Sequence, residues 1–164
     1  MTAPIKALCL ALALTVGGAA LAQDTGIAFE GLQAGADQPV EITADQLQVS
    51  QKESTAHFIG HVLVVQGGLR LSSDVLTVEY VNGDKTKIDR LIAEGNVLLS
   101  TPAEAAEAAQ AVYALADRQL EMTGNVLLTQ SGNVMSGERL TVNLADGTGR
   151  MDGRVRTLLQ PAGN

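Results

Sequence analysis

The feature that most constrains the fold is a module that returns along the chain with fixed internal spacing. In its clearest copy an apolar residue precedes a glycine (Phe58, Gly60), valines follow at Val62 and Val64, and fourteen positions after the glycine an acid opens a second apolar run (Asp74, Leu76, Val78). Met122, Gly124, Val126 and then Glu138, Leu140, Val142 repeat the frame. Ala93, Gly95, Val97 and then Ala109, Ala111, Tyr113 repeat it without the acid. A recurring unit of this kind points to one supersecondary element stacked along a continuous core.

The module glycines Gly60, Gly95, Gly124 and Gly153 are separated by 35, 29 and 29 residues, and the strand openers Asp45, Asp74, Ala109 and Glu138 by 29, 35 and 29. The six extra residues therefore fall between Asp74 and Gly95. Val81-Asn82-Gly83-Asp84-Lys85 supplies an Asn-Gly turn there, so one longer hairpin in a regular array accounts for the exception.

Local propensity and the repeat conflict at Ala103 to Ala111, AEAAEAAQA, where alanine and glutamate favour a helix. The repeat sets Ala114-Leu115-Ala116-Asp117 on Asn143-Leu144-Ala145-Asp146 without a gap. A helix rises about 1.5 Å per residue against about 3.3 Å for a strand and would shorten this module by more than half. The segment is read as a strand, with room for a short helical turn at its corner.

Alternation identifies the buried face. One column carries Ala56, Phe58, Val62, Val64, then Leu91, Ala93, Val97, Leu99, then Leu120, Met122, Val126, Leu128, then Met151 and Val155. Val40, Ile42, Leu47 and Val49 alternate in the same way after the turn signal Asp37-Gln38-Pro39, and Leu76, Val78, Leu140 and Val142 complete the inward set. The intervening column, His61, Asn96, Asn125 and Arg154, is solvated. This pattern belongs to an antiparallel sheet with one apolar face. Leu63, Leu98 and Leu127 have outward parity yet are apolar, which leaves two readings: local bending at a corner, or a strip facing a partner.

The first 22 residues read as a secretory leader: Lys6, an apolar run over Ala7 to Val16 too short to span a membrane, and Ala20-Leu21-Ala22 before Gln23. Residues 23–36 read as a lead-in and 37–161 as one β domain. Cys9 lies within the leader, so no disulfide is expected. The full chain has a net charge of −7, and without Lys6 the balance is one unit more negative. Such a surface repels nucleic acid and anionic membranes. Phe29, Phe58, Tyr80 and Tyr113 are the aromatic residues, too few to build a stacking platform for bases or sugars. The interior is left to aliphatic side chains.

No catalytic constellation emerges, and no cofactor or metal is expected. His57 and His61 are four apart, about 13 Å along a strand, which is too far for one metal ion. Ser72-Ser73-Asp74 has no histidine in a nucleophile context, and Gly67-Gly68 is a turn, since no helix N-terminus follows. Asp45, Asp74 and Glu138 recur with the module, which assigns them to corners, accepting backbone N–H bonds where the chain turns into a strand.

Asp37-Gln38-Pro39-Val40-Glu41-Ile42, Phe58-x-Gly60-x-Val62-x-Val64-x-Gln66-Gly67 with Asp74-x-Leu76-x-Val78, Leu120-x-Met122-Thr123-Gly124-Asn125-Val126 with Gly137-Glu138-Arg139-Leu140-Thr141, and Arg154-Val155-Arg156-Thr157-Leu158-Leu159-Gln160-Pro161 together resemble the LptA (OstA-like) family of lipopolysaccharide transport. The resemblance spans Asp37 to Pro161. It implies an open, twisted antiparallel β-jelly-roll in the periplasm whose groove carries the acyl chains of lipid A. It also implies protomers stacked head to tail between an inner-membrane LptC-type and an outer-membrane LptD-type jelly-roll. Carried onto this chain, it makes the inward set above, Val40 through Met151 without Ala56 and Ala93, the lipid-binding groove. Val40 and Ile42 form one oligomer edge, and Val155, Thr157 and Leu158 the other. The alanine-rich middle module departs from the family pattern. Two rivals stay open: another jelly-roll station of the same pathway, either LptC-like or a translocon N-terminal domain, and a structural β-solenoid or filament protein with a filled core.

Overall fold

The structure, a computed structural model, describes residues 27–28, 38–82 and 84–160. The expected leader, most of the lead-in, Gly83 and Pro161 lie outside the described residues. Eleven strands follow in chain order: β1 (Ile27–Ala28), β2 (Glu41–Thr43), β3 (Gln46–Ser50), β4 (Thr55–Gln66), β5 (Leu69–Val81), β6 (Asp84–Ser100), β7 (Glu104–Ala114), β8 (Gln119–Gln130), β9 (Asn133–Asn143), β10 (Thr148–Asp152) and β11 (Arg156–Leu158). All pairings are antiparallel and form one sheet. β4 to β9 pair in chain order; β2 and β3 both lie on β4, and β10 and β11 both lie on β9.

The repeat translates directly into this meander. β5 and β6 are joined by the hairpin predicted from the six extra residues, closing with Val81 opposite Asp84. The alanine-rich segment is strand β7, held in register from Glu104–Gln130 to Ala114–Gln119 on β8. Packing within the repeat outweighs the helical propensity of alanine there. Within the lead-in, Ile27 and Ala28 pair with Gly149 and Thr148, so strand structure begins earlier than the alternation over Val40 to Val49 indicates.

A line of bulges crosses the sheet and divides it in two. At Gly60-His61, two residues of β4 stand opposite Asp74 alone on β5, with paired residues resuming at Ile59–Val75 and Val62–Ser73. Gly95-Asn96 opposite Ala109 and Gly124-Asn125 opposite Glu138 repeat the arrangement. Both residues of each bulge have positive φ: 81° and 45° at Gly60-His61, 75° and 48° at Gly95-Asn96, 87° and 51° at Gly124-Asn125, and 81° and 43° at Gly153-Arg154. Glycine reaches this region without strain, and asparagine and histidine tolerate it better than most side chains. The module glycine is therefore the residue that lets each strand bend, and the solvated column is the second half of the bend.

The two halves of the bent sheet lie face to face. In the half before the bulges, one inward row runs Leu47, Phe58, Leu76, Ala93, Ala111, Met122, Leu140, Met151 across eight paired strands. In the other half, Ile42, Val64, Leu71, Leu99, Ala106, Leu128, Met135 and Thr157 form the corresponding row. Leu76 and Met122 have no exposed surface. A residue on one sheet reaches zero exposure only under a second layer, and that layer is the sheet's other half.

Candidate functional site

The seam between the two halves contains nearly all the residues of the expected groove. Val62, Val64, Leu76, Val78, Val97, Leu99, Leu120, Met122, Val126, Leu128, Leu140 and Val142 are buried, with Ile42, Phe58, Leu91 and Met151 partly buried against them. The aliphatic character of the interior follows from the composition, and the packing is close. Leu99, Glu104 and Ala106 line, opposite Leu120, Met122, Leu140 and Val142, a gap of about 10 Å³, room for about one water molecule.

The seam opens at its ends. Leu47 and Val49 belong to the inward rows yet are 55% and 67% exposed, because β3 is an edge strand. Val40 is exposed just before β2. At the far end Val155, Leu158 and Leu159 are exposed. Val155 is the counterpart of buried Val62, Val97 and Val126 but lies outside the strand, which starts at Arg156 and not, as the alternation implies, at Val155. Thr157 pairs with Met135 and Leu158 with Val134. Among the described residues β2 pairs only with β4 and β11 only with β9, so each presents one unpaired edge.

Asp45 and Asp74 act through side-chain partners, a correction to the backbone role assigned to the corner acids from their spacing. Asp45 Oδ2 lies 2.7 Å from His61 Nδ1, and Asp74 Oδ2 accepts a bond from Asn96 Nδ2 at 2.9 Å. The backbone part of the corner runs the other way, with the Asp45 N–H donating to the Gly60 carbonyl at 2.9 Å. The hydrogen bond and charge of Asp45 raise the His61 pKa above its ordinary value. His57 is occupied by the hydroxyls of Thr55 and Thr77, and among the described residues no three His, Cys, Asp or Glu side chains converge as metal ligands.

The outward leucines do not line up as a strip facing a partner. The row Leu63, Ser72, Leu98, Glu107, Leu127, Ser136 alternates apolar with polar across six strands. No continuous apolar strip results, and isolated surface leucines are ordinary. Among the described residues two polar side chains are buried that the apolar columns do not include: Ser73 on β5, and Glu104, at the start of β7, in the seam. The inward parity of Glu104 with Ala106 and Ala108 was the available signal.

The family described as LptA/(LptD N-terminal domain) LPS transport protein matches residues 41–148. An uncharacterized protein of Rhizobium meliloti, R00383, is 35% identical over 156 residues, covering 89% of this chain and 84% of that protein. The lipopolysaccharide export system protein LptA of Escherichia coli K12 is 28% identical over 114 residues, 64% of this chain and 60% of that protein. LptH, the LptA-homologous periplasmic component of lipopolysaccharide transport in Pseudomonas aeruginosa, has the same fold, with a TM-score of 0.69 at 16% identity over 77% of this chain and 99% of that one. The fold is thus the open β-jelly-roll of these proteins. With its family match running from β2 into β10, the chain belongs to the LptA/LptD N-terminal domain family of lipopolysaccharide transport proteins.

Proposed function

We propose that this protein carries lipopolysaccharide through the periplasm by holding lipid A acyl chains in the seam between the two halves of its sheet, in a chain of protomers that bridges the two membranes. The observation that carries the reading is that the inward rows run apolar from Ile42 and Leu47 at the β2–β3 end to Met135 and Met151 beside the β10–β11 end, with apolar side chains exposed at both ends, Val40, Leu47 and Val49 at one and Val155, Leu158 and Leu159 at the other. Flexible hydrocarbon chains gain from such a surface without needing specific polar contacts. The acidic exterior keeps anionic headgroups in water. Because the gap is far smaller than an acyl chain, loading moves the halves apart at the rim opposite the bulges.

The edges of β2 and β11 support head-to-tail pairing with a second copy or with a jelly-roll of the LptC or LptD type, since an unpaired strand edge invites a further strand. A contact between two different edges does not close on itself and gives oligomers of growing length. The tight seam also fits a rival reading, a structural β protein with a permanently filled core. Mass spectrometry of the protein purified from envelopes separates the two. The transport reading predicts co-purifying lipopolysaccharide that excess detergent removes, whereas protein free of lipopolysaccharide even after incubation with it refutes that reading.

A further inference from the structure

Glu104 is the one inward-facing carboxylate among the described buried residues, 8% exposed at the rim of the seam. The β6–β7 turn fixes its backbone: the Thr101 N–H donates to the Glu104 carbonyl at 2.8 Å, and the Glu104 N–H donates to Thr101 Oγ1 at 3.2 Å. Oε1 accepts a hydrogen bond from Gln130 Nε2 at 3.0 Å. Oε2 accepts none, and among the described residues it is the buried side-chain oxygen or nitrogen without a partner. Among the described residues Glu104 takes part in no ion pair.

That carboxylate lines the same gap as Leu99, Leu120, Met122, Leu140 and Val142. A carboxylate oxygen buried beside aliphatic side chains with no hydrogen-bond partner is unfavourable, and a suitable donor brought into the seam relieves it. An ammonium group brings three donors and would leave two of them against hydrocarbon. A metal ion needs more oxygen ligands than this lining offers. A hydroxyl or a secondary amide brings one N–H or O–H on an otherwise apolar body, which matches one free acceptor at the rim of an apolar seam.

We infer that Glu104 Oε2 is a specificity contact for cargo, accepting a hydrogen bond from a hydroxyl or amide N–H carried on an acyl chain lodged in the seam. This rests on the acyl-binding reading above. Glu104 sets which chains are preferred, while the aliphatic rows supply the bulk of the affinity.

Two chain-matched probes test it: dodecanol, which has an O–H donor, and dodecyl methyl ether, which has none, each competing with bound N-phenylnaphthylamine on the purified protein. The alcohol is expected to bind about tenfold tighter than the ether, the scale of one hydrogen bond to a charged acceptor. In Glu104→Met the preference disappears while ether binding persists. In Glu104→Gln, which keeps the volume and an uncharged acceptor, it falls to about threefold, and circular dichroism confirms the fold of both variants. Equal binding of alcohol and ether by the unaltered protein, or a preference that survives in both variants, overturns the role of Glu104 and leaves acyl binding standing. Displacement by neither compound overturns acyl binding itself, and the Glu104 contact with it.

Discussion

Asp74 and Gly95 meet across β5 and β6 so closely that a Cβ at Gly95 would lie 2.9 Å from both Cβ and Cγ of Asp74, while Asp74 Oδ2 holds the side chain of the next residue, Asn96, at 2.9 Å. The same geometry joins Asp45 to Gly60 and Glu138 to Gly153. The opener acid of one module and the glycine of the next are thus two sides of one bend, with Ala109 in the acid's place beside Gly124.

Gly95→Ala combines this clash with a φ of +75° and is expected to cost about 1–3 kcal/mol of stability. Urea unfolding measures it. Adding Asp74→Gly removes the clash but not the backbone strain, so the double variant recovers part of the loss; full recovery would assign the cost to crowding alone.

Burial separates the centre of the seam from its mouth. Leu140→Ala, deep between the halves, is expected to cost about 2–5 kcal/mol. Leu47→Ala, on the same inward row but exposed at the edge, costs less than about 1 kcal/mol. Equal losses would mean that the edge is covered in solution.

His61 has its pKa raised by the hydrogen bond and charge of Asp45. A raised folded-state value means that protonation favours the folded protein: the contribution is fully present below the unfolded value near 6.5 and is lost as pH rises through the folded value. An NMR titration should place the His61 midpoint above 6.5, and Asp45→Asn should lower it. An unchanged midpoint in that variant would remove Asp45 as the cause.

The antiparallel sheet was legible because the repeat carries register as well as pattern: module spacing located the long hairpin and strand β7 despite its alanines, whereas the bend at each glycine shows only in the paired strands. The parity of the opener strands was not legible. On β5 both Leu76 and Ser73 point inward, because Asp74 alone faces the two-residue bulge at Gly60-His61, and which strand of a pair absorbs a bulge is not written in the alternation of either. The isolation of Leu63, Leu98 and Leu127 likewise depends on what pairing sets between them. Of the seam, the apolar rows were readable from alternation. Its closure was not, since the distance between two facing halves depends on how side chains from distant modules interlock.

Self-association through the terminal edges predicts that Leu158→Glu shortens or abolishes oligomers in sedimentation velocity. Leu158 is exposed, so the monomer's stability should change by no more than about 0.5 kcal/mol. Oligomers of unaltered length in that variant would exclude the Arg156–Leu158 edge from the contact.

The central claim is that lipopolysaccharide chains occupy the space between the two halves of the sheet. In vivo photo-crosslinking tests it most directly, with the reactive side chain placed at Leu99 or Leu120 on the inward face and at Asn96 or Asn125 on the outer one. Capture of lipopolysaccharide at the inward pair and not at the outer pair is the predicted result; equal capture at both, or capture at the outer pair alone, contradicts the claim.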